Sequence, residues 1–385
     1  MKNLEELLVN ILALDRAFEK FEFIHAYFGP KQYLKEAKKI DPMDAYRFLV
    51  QCKKKLNPKS DHIRELFVHD FLSSMIMQVE IFILKKKHHM KTAAEALTGA
   101  RLIRPFDIDA ERHRLMAFLK GINIHSMEEF RKSKDEQVFD NYSKFKTYIN
   151  NLFDIIAKKI ITKYAGSFDI DLKQLFKKST IRIVKTKPDE PPCYYHYDGN
   201  YRGTLGVGFK KKHSKAYLEA FFLHEVMPGH HFYYLIRQHK IDHKQNIDPL
   251  FFIDPFYSPE NIVNEGLATN GDLILEDLTD NITLAGIKCE KTLHRCFYNM
   301  WYAKNIANKP FDKNCISLLK HTFKMPPHEM KARIQYFTRD EKYYAPSYPL
   351  GIHYLRKLIT QAGAAKLHLF YDQNSVRTLQ KTIGV

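Results

Sequence analysis

Cysteine is scarce and poorly placed for cross-linking. Five occur in 385 residues (Cys52, Cys193, Cys289, Cys296 and Cys315), an odd number with no Cys-x-x-Cys spacing. That argues against a disulfide framework, and the five read as reduced thiols of a cytosol-like compartment. No signal peptide is expected either. The chain begins Met1-Lys2-Asn3-Leu4-Glu5-Glu6-Leu7-Leu8-Val9, with acids where a signal peptide needs a basic start and an unbroken apolar core. The longest apolar run, Phe71 to Leu84, contains Gln78 and Glu80. At about 14 residues it is too short and too polar to span a bilayer. There is no internal repeat and no low-complexity tract. The expectation is a soluble, cytoplasmic protein without a transmembrane segment; export by a specialised secretion system would leave no mark in such a sequence.

Acidic residues are in deficit. Lys and Arg number 61 against 44 Asp and Glu, a net charge of +17. Such a balance suits acidic partners, either nucleic acid, an anionic membrane or an acidic protein segment, although lysine also serves simply to solvate a surface. Apolar residues are plentiful: 45% of the chain, with 28 Phe and 22 Tyr. That supplies a sizeable core and excludes a disordered chain. One large or two small domains fit the length.

Residues 1–165 read as helices. Leu4, Leu7, Leu8, Ile11 and Leu12 recur at helical spacing, and 61–84 forms a long, mostly buried helix. From 166 the pattern changes. Ser179 to Lys185 is strand-like, 187–192 is a proline-rich loop, and Gly203 to Phe209 is a second strand thinned by glycine. A glycine-rich strand there suits a sheet edge that binds an extended peptide. The fold class expected is mostly α with a small β-sheet (α+β). The 1–165 helices and the 166–385 region are expected to form one compact unit.

The chemistry concentrates in Leu223-His224-Glu225-Val226-Met227-Pro228-Gly229-His230-His231-Phe232. His-Glu followed by a nearby His is the core of a zinc-hydrolase helix, in which imidazoles bind metal and Glu activates water. The usual second ligand stands four residues on, but here that position is Pro228. His230 is six residues on, about 600° round an unbroken helix, so the two rings would diverge. Pro228-Gly229 can break the helix and bring His230 back towards His224. His231 returns to the same face but about 10 Å along the axis. It is the alternative second ligand. Downstream, Asn261-Ile262-Val263-Asn264-Glu265-Gly266-Leu267-Ala268 offers Glu265 as a third ligand on a helix over 259–276, with small neighbours that permit close packing. Asp272, seven residues beyond Glu265, is placed to orient a ligand histidine.

His-Glu-x-x-Pro-Gly-His-His followed by Glu-Gly-x-Ala resembles the bacterial domain-of-unknown-function 885 family, grouped with the Glu-ligand (gluzincin-like) zinc metallopeptidases. The resemblance covers residues 180 to 360. It extends upstream to Tyr194-Tyr195 and Asp198-Gly199-Asn200-Tyr201-Arg202-Gly203, and downstream to Ala345-Pro346-Ser347-Tyr348-Pro349-Leu350-Gly351. Two departures stand out: the N-terminal half is shorter than in the family, and the Arg295 to Asn308 helix lacks a histidine that the family often carries. The resemblance implies two motif helices packed around Zn²⁺ held by His224, His230 and Glu265, with Glu225 as general base. It further implies an oxyanion contact from a Tyr or His, for which Tyr348 and His353 are the candidates. His231, Tyr195, Arg202, Asp272 and Tyr354 are candidates for supporting the ligands or touching substrate. The function so implied is a metallopeptidase or amide hydrolase acting on a peptide or protein. A carboxypeptidase-like or isopeptidase-like enzyme is an alternative; carboxypeptidase action needs a cation for the terminal carboxylate, for which Arg202, Arg333 and Arg356 are candidates. A rival reading from the charge is a basic module that binds nucleic acid or an acidic protein, with an inactive or structural zinc site.

Overall fold

Local rules set most of the helices, as a computed structural model shows for residues 4–18, 23–135, 138–139, 141–187, 193–208, 213–243, 247–275 and 280–384. Asp41 caps Pro42–Lys54 by accepting from the amides of Met43 and Asp44. Asn141 does the same for the longest helix, Tyr142–Tyr164. These side-chain oxygens satisfy N–H groups that the first turn leaves open. The Leu4–Asp15 helix buries every residue from Leu7 to Leu14 rather than one stripe. It packs in a cluster with Ala45, Leu49, Phe67 and Phe71.

The helix expected over 61–84 runs continuously over Ile63–Ile83, with 21 residues and 61% of its most apolar window buried. Its length and composition would allow it to cross a membrane, but here it is the central helix of a protein core. Gln78, counted in the sequence as a polar residue within the apolar run, is accommodated inside this helix. Its amide donates to Tyr257 O at 2.9 Å, so a buried polar group stays satisfied.

Strands are few and short. The largest sheet has three, in the order Thr180–Lys185, Arg202–Val207, Cys193–Gly199. The first pair is parallel and the second antiparallel. The glycine-bearing strand is therefore central, and the expectation of an edge is corrected: both its sides are paired, and Cys193–Gly199 is an edge instead. The glycines have another use. A Cβ on Gly203 would strike the Tyr195 ring, and one on Gly206 the Tyr194 ring. Both tyrosines lie across the bare backbone of their neighbour strand. The loop expected over 187–192 falls outside the described residues except at 187, as does Phe209.

Among the described residues the fold is α+β, dominated by helix. Ile24–Tyr27 pairs antiparallel with Ile253–Pro255, and the largest apolar cluster draws on both Leu115 and Leu355. The N-terminal helices and the later region thus share cores.

Candidate metal centre

Two helices present the His-Glu stretch. Lys215–Glu225 starts at Ser214, whose hydroxyl accepts from Tyr217 N at 3.3 Å. His230–His243 follows after a four-residue break that contains a cis Met227–Pro228 bond. Gly229 is fixed by close approach: a Cβ there would overlap the carbonyl of His224. His224 is the penultimate residue of the first helix and His230 the first of the second. Their rings stand 4.9 Å apart, edge to face.

The Glu265 helix, Pro259–Thr269, begins with proline, whose fixed φ suits a first turn. It is tied to the His230 helix by a buried network. Arg237 Nη1 donates to Glu260 Oε2 at 2.7 Å, Tyr233 Oη donates to the same oxygen at 2.8 Å, and Gln373 Nε2 donates to Glu260 Oε1 at 3.0 Å. On its other side this helix crosses Ser347–Ala362 at facing glycines, Gly266 and Gly351. The close approach expected of Gly266 is thus towards the helix that carries Tyr348.

The outcome is one carboxylate between two imidazoles. His224 Nε2 lies 3.6 Å from Glu265 Oε2, and His230 Nε2 lies 3.9 Å from Glu265 Oε1. His224, Glu225 and His230 each offer an atom within 4.8 Å of the others. Tyr344 Oη donates to Glu265 Oε1 at 2.6 Å, and Asn264 Oδ1 lies 3.0 Å from His230 Nδ1. Bonding between Asn264 and that ring nitrogen orients the ring so that Nε2 faces Glu265.

Three features of the donor set bear on a divalent ion. Glu265 Oε2 is buried and has no hydrogen-bond partner among the described residues. Tetrahedral zinc bonded at about 2.0–2.2 Å would separate its ligand atoms by about 3.4 Å, close to the 3.6 and 3.9 Å found. Electrostatics agree. Burial, offset in part by His230 and Tyr344, pushes the Glu265 carboxyl up. Burial, with Glu265 adding to it, pushes Glu225 up to about 7. Burial and the neighbouring His230 hold His224 well below the usual imidazole range. Burial lowers the His230 imidazole, but Glu265 and Glu225 outweigh it and push it up, so the buried carboxylates draw positive charge to this spot. The residues fit a small divalent cation.

These groups line a 540 Å³ cavity that also takes Tyr195, Tyr336 and Tyr348. A second cavity of 290 Å³ adjoins it at His224, Tyr336 and Tyr348, and its walls include Phe221, Leu223, Ile287 and Phe337. Tyr348 is held well above the usual tyrosine range by burial and by Glu265, so its hydroxyl keeps its proton.

No family model matches this chain, and no curated protein matches it. A solved structure does. The crystal structure of "the putative lipoprotein from Colwellia psychrerythraea" superposes with a TM-score of 0.56 at 12% identity, over 92% of this chain and 62% of that one. At that identity the likeness is one of fold. The chain spans 62% of the length of that structure's chain.

Several sequence candidates lie elsewhere. His231 is fully buried, with Ser179 Oγ 2.8 Å from Nε2 and Tyr195 Oη 2.7 Å from Nδ1. Both ring nitrogens are taken, so it cannot ligate and instead ties the His230 helix to the Cys193–Gly199 strand and to the residue just before the Thr180–Lys185 strand. Asp272 does not reach a ligand histidine: it pairs with Lys291 at 2.6 Å. The helix expected over 259–276 ends at Thr269, a separate turn runs Gly271–Ile274, and 276 lies outside the described residues. His353 is exposed and edge-on to Phe106. It sits five residues, and so about 140°, round the helix from Tyr348. Tyr354 donates to Arg101 O at 2.9 Å, and Arg202 is an exposed strand residue. Sequence reasoning missed Asn264 and His294. His294, one residue before the Arg295 to Asn308 stretch, stacks on Tyr348 at 4.8 Å between ring centroids, with Nδ1 buried and without a hydrogen-bond partner among the described residues. A signal was present for Asn264, a polar residue directly before Glu265 in a helix otherwise rich in apolar residues.

Proposed function

We propose that the chain is a zinc-dependent hydrolase of peptide or amide bonds, akin to the gluzincin-like domain-of-unknown-function 885 family, with His224, His230 and Glu265 as metal ligands. The observation that carries this reading is the shared Glu265 carboxylate, one oxygen facing each imidazole and one of them buried with no hydrogen-bond partner among the described residues. Bound zinc would polarise a carbonyl and make water acidic near neutral pH. The protein's own groups do the rest. Glu225, at about 7, is poised to accept a proton and return it to a leaving amine near neutral pH. Tyr348, protonated and backed by His294, offers a hydrogen-bond donor to a developing oxyanion. Tyr344 and Asn264 hold Glu265 and His230 in orientation. The 290 Å³ apolar cavity next to His224 would take a hydrophobic side chain of the substrate. The open edge of Cys193–Gly199, whose tyrosines line the larger cavity, would pair with an extended peptide backbone.

The test is Glu225→Gln in the full chain, assayed on a quenched peptide library with a chelator control. Metal content should stay at the parent level while hydrolysis disappears. Undiminished hydrolysis would remove Glu225 from the mechanism. Absence of hydrolysis in the metal-loaded parent, with steeply salt-dependent nucleic-acid binding, would favour the basic binding module that the +17 charge suggests.

A further inference from the structure

A cavity separate from the metal centre carries an unusual charge imbalance. It measures 380 Å³, and its charged walls come from three helices, Ile108–Gly121, Asn281–Tyr302 and Ser347–Ala362, and from the short turn Gly271–Ile274. The cations are Arg114, Lys288, Lys291, Arg295 and Arg356; the only carboxylates lining it are Glu111 and Asp272. Both acids are already engaged. Glu111 accepts from Arg114 at 2.7 Å and from Arg295, and Asp272 accepts from Lys291 at 2.6 Å.

The floor is built rather than merely solvated. Lys291 is 3% exposed, with two of its three N–H bonds on Asp272 and Asn270. Arg295 lies over the Phe106 ring, and its Nε is buried with no acceptor among the described residues. The rim is different. Among the described residues no acid pairs with Lys288 or Arg356, and Lys288 rests over Phe118. Buried guanidinium donors without acceptors are costly to leave unmet, and guanidinium forks match phosphate oxygens two at a time.

We propose that this cavity binds a compact phosphate-bearing small molecule, seated on Lys291 and Arg295 and closed over by Lys288 and Arg356. Its walls offer little apolar surface beyond Leu115 and the stem of Thr292, so charge, not hydrophobic contact, selects the ligand. Of the three arginines singled out in the sequence as carboxylate cations, Arg356 alone faces a cavity of this kind; Arg333 pairs with Glu329 at 3.1 Å.

Inorganic pyrophosphate, titrated calorimetrically into the full chain at constant ionic strength, tests the proposal. Saturable one-site binding is expected in the parent and in His224→Ala, which removes a metal-centre ligand. The double variant Lys288→Gln/Arg356→Gln, confined to the rim, should bind about tenfold more weakly or worse. The control Lys39→Gln/Lys87→Gln, equal in charge change but remote, should bind as the parent does. No saturable binding would overturn the proposal. So would equal weakening in the control, which would mean a diffuse surface field, or loss in His224→Ala alone, which would mean pyrophosphate held at the metal centre. A failure here leaves the hydrolase reading untouched, because this cavity shares no residue with the one at the metal centre and only Asp272 with the apolar cavity beside it.

Discussion

Gly351 is where the packing behind the metal centre can be probed most cleanly. A Cβ built on it would stand 2.9 Å from both the Cα and N of Gly266 and 3.0 Å from Ile262 O. Those are backbone atoms of a helix, with no rotamer to turn away. Non-bonded carbon contacts settle at about 3.5–4.0 Å, so the two helices would have to part by about half an ångström or more. Overpacking of this kind costs about 1–3 kcal/mol. Alanine for glycine inside a helix returns about 0.5–1 kcal/mol. The expected net is a loss of about 0.5–2 kcal/mol for Gly351→Ala. Gly286, inside the Asn281–Tyr302 helix, has nothing within 4 Å of its built Cβ. There only the helix gain remains, and Gly286→Ala should be stabilised by about 0.5–1 kcal/mol. Urea denaturation of the two variants beside the parent reads both signs in one experiment. Gly351→Ala as stable as Gly286→Ala would refute the close crossing, and with it the account of how Tyr348 is brought to Glu265.

Asn264→Ala should weaken metal binding about 10–100-fold while leaving the fold intact, because it frees the His230 ring; competition with a chelator measures it, and unchanged affinity would show that the Asn264 contact is idle. His231 gives a pH prediction. Burial holds it down to about 3, against 6.5 in an exposed imidazole. Between those values the unfolded chain binds the extra proton and the folded chain does not. Stability from this group is therefore complete above 6.5 and falls as pH drops towards 3, by about 1.4 kcal/mol per unit. His231→Gln should flatten that part of the acid-unfolding curve, and a curve as steep as the parent's would place the acid sensitivity elsewhere.

What could be read in the sequence was whatever depends on neighbours along the chain. His224, Glu225 and His230 fall within seven residues, and Pro228-Gly229 announces a break between them. Asp272 misled because counting seven residues from Glu265 assumes one continuous helix, whereas Asn270 ends it and the next turn starts in a new direction. The Gly203 strand misled for a different reason. Glycine there makes room for tyrosine rings from the strand beside it, and only the pairing order shows which strand is the edge. Tyr344 and His294 reach the centre from segments 79 residues beyond Glu265 and from a helix whose facing side is set by packing. No periodicity marks which of several tyrosines will touch a particular carboxylate.

The central claim is that one divalent ion sits among His224, His230 and Glu265. Crystals of the full chain grown with zinc, with diffraction recorded on both sides of the zinc absorption edge, test it most directly. The account expects an anomalous peak bonded to both Nε2 atoms and to the Glu265 carboxylate, absent in crystals of Glu265→Ala. A metal-loaded crystal with no peak between those three side chains, or with its peak elsewhere, would contradict it.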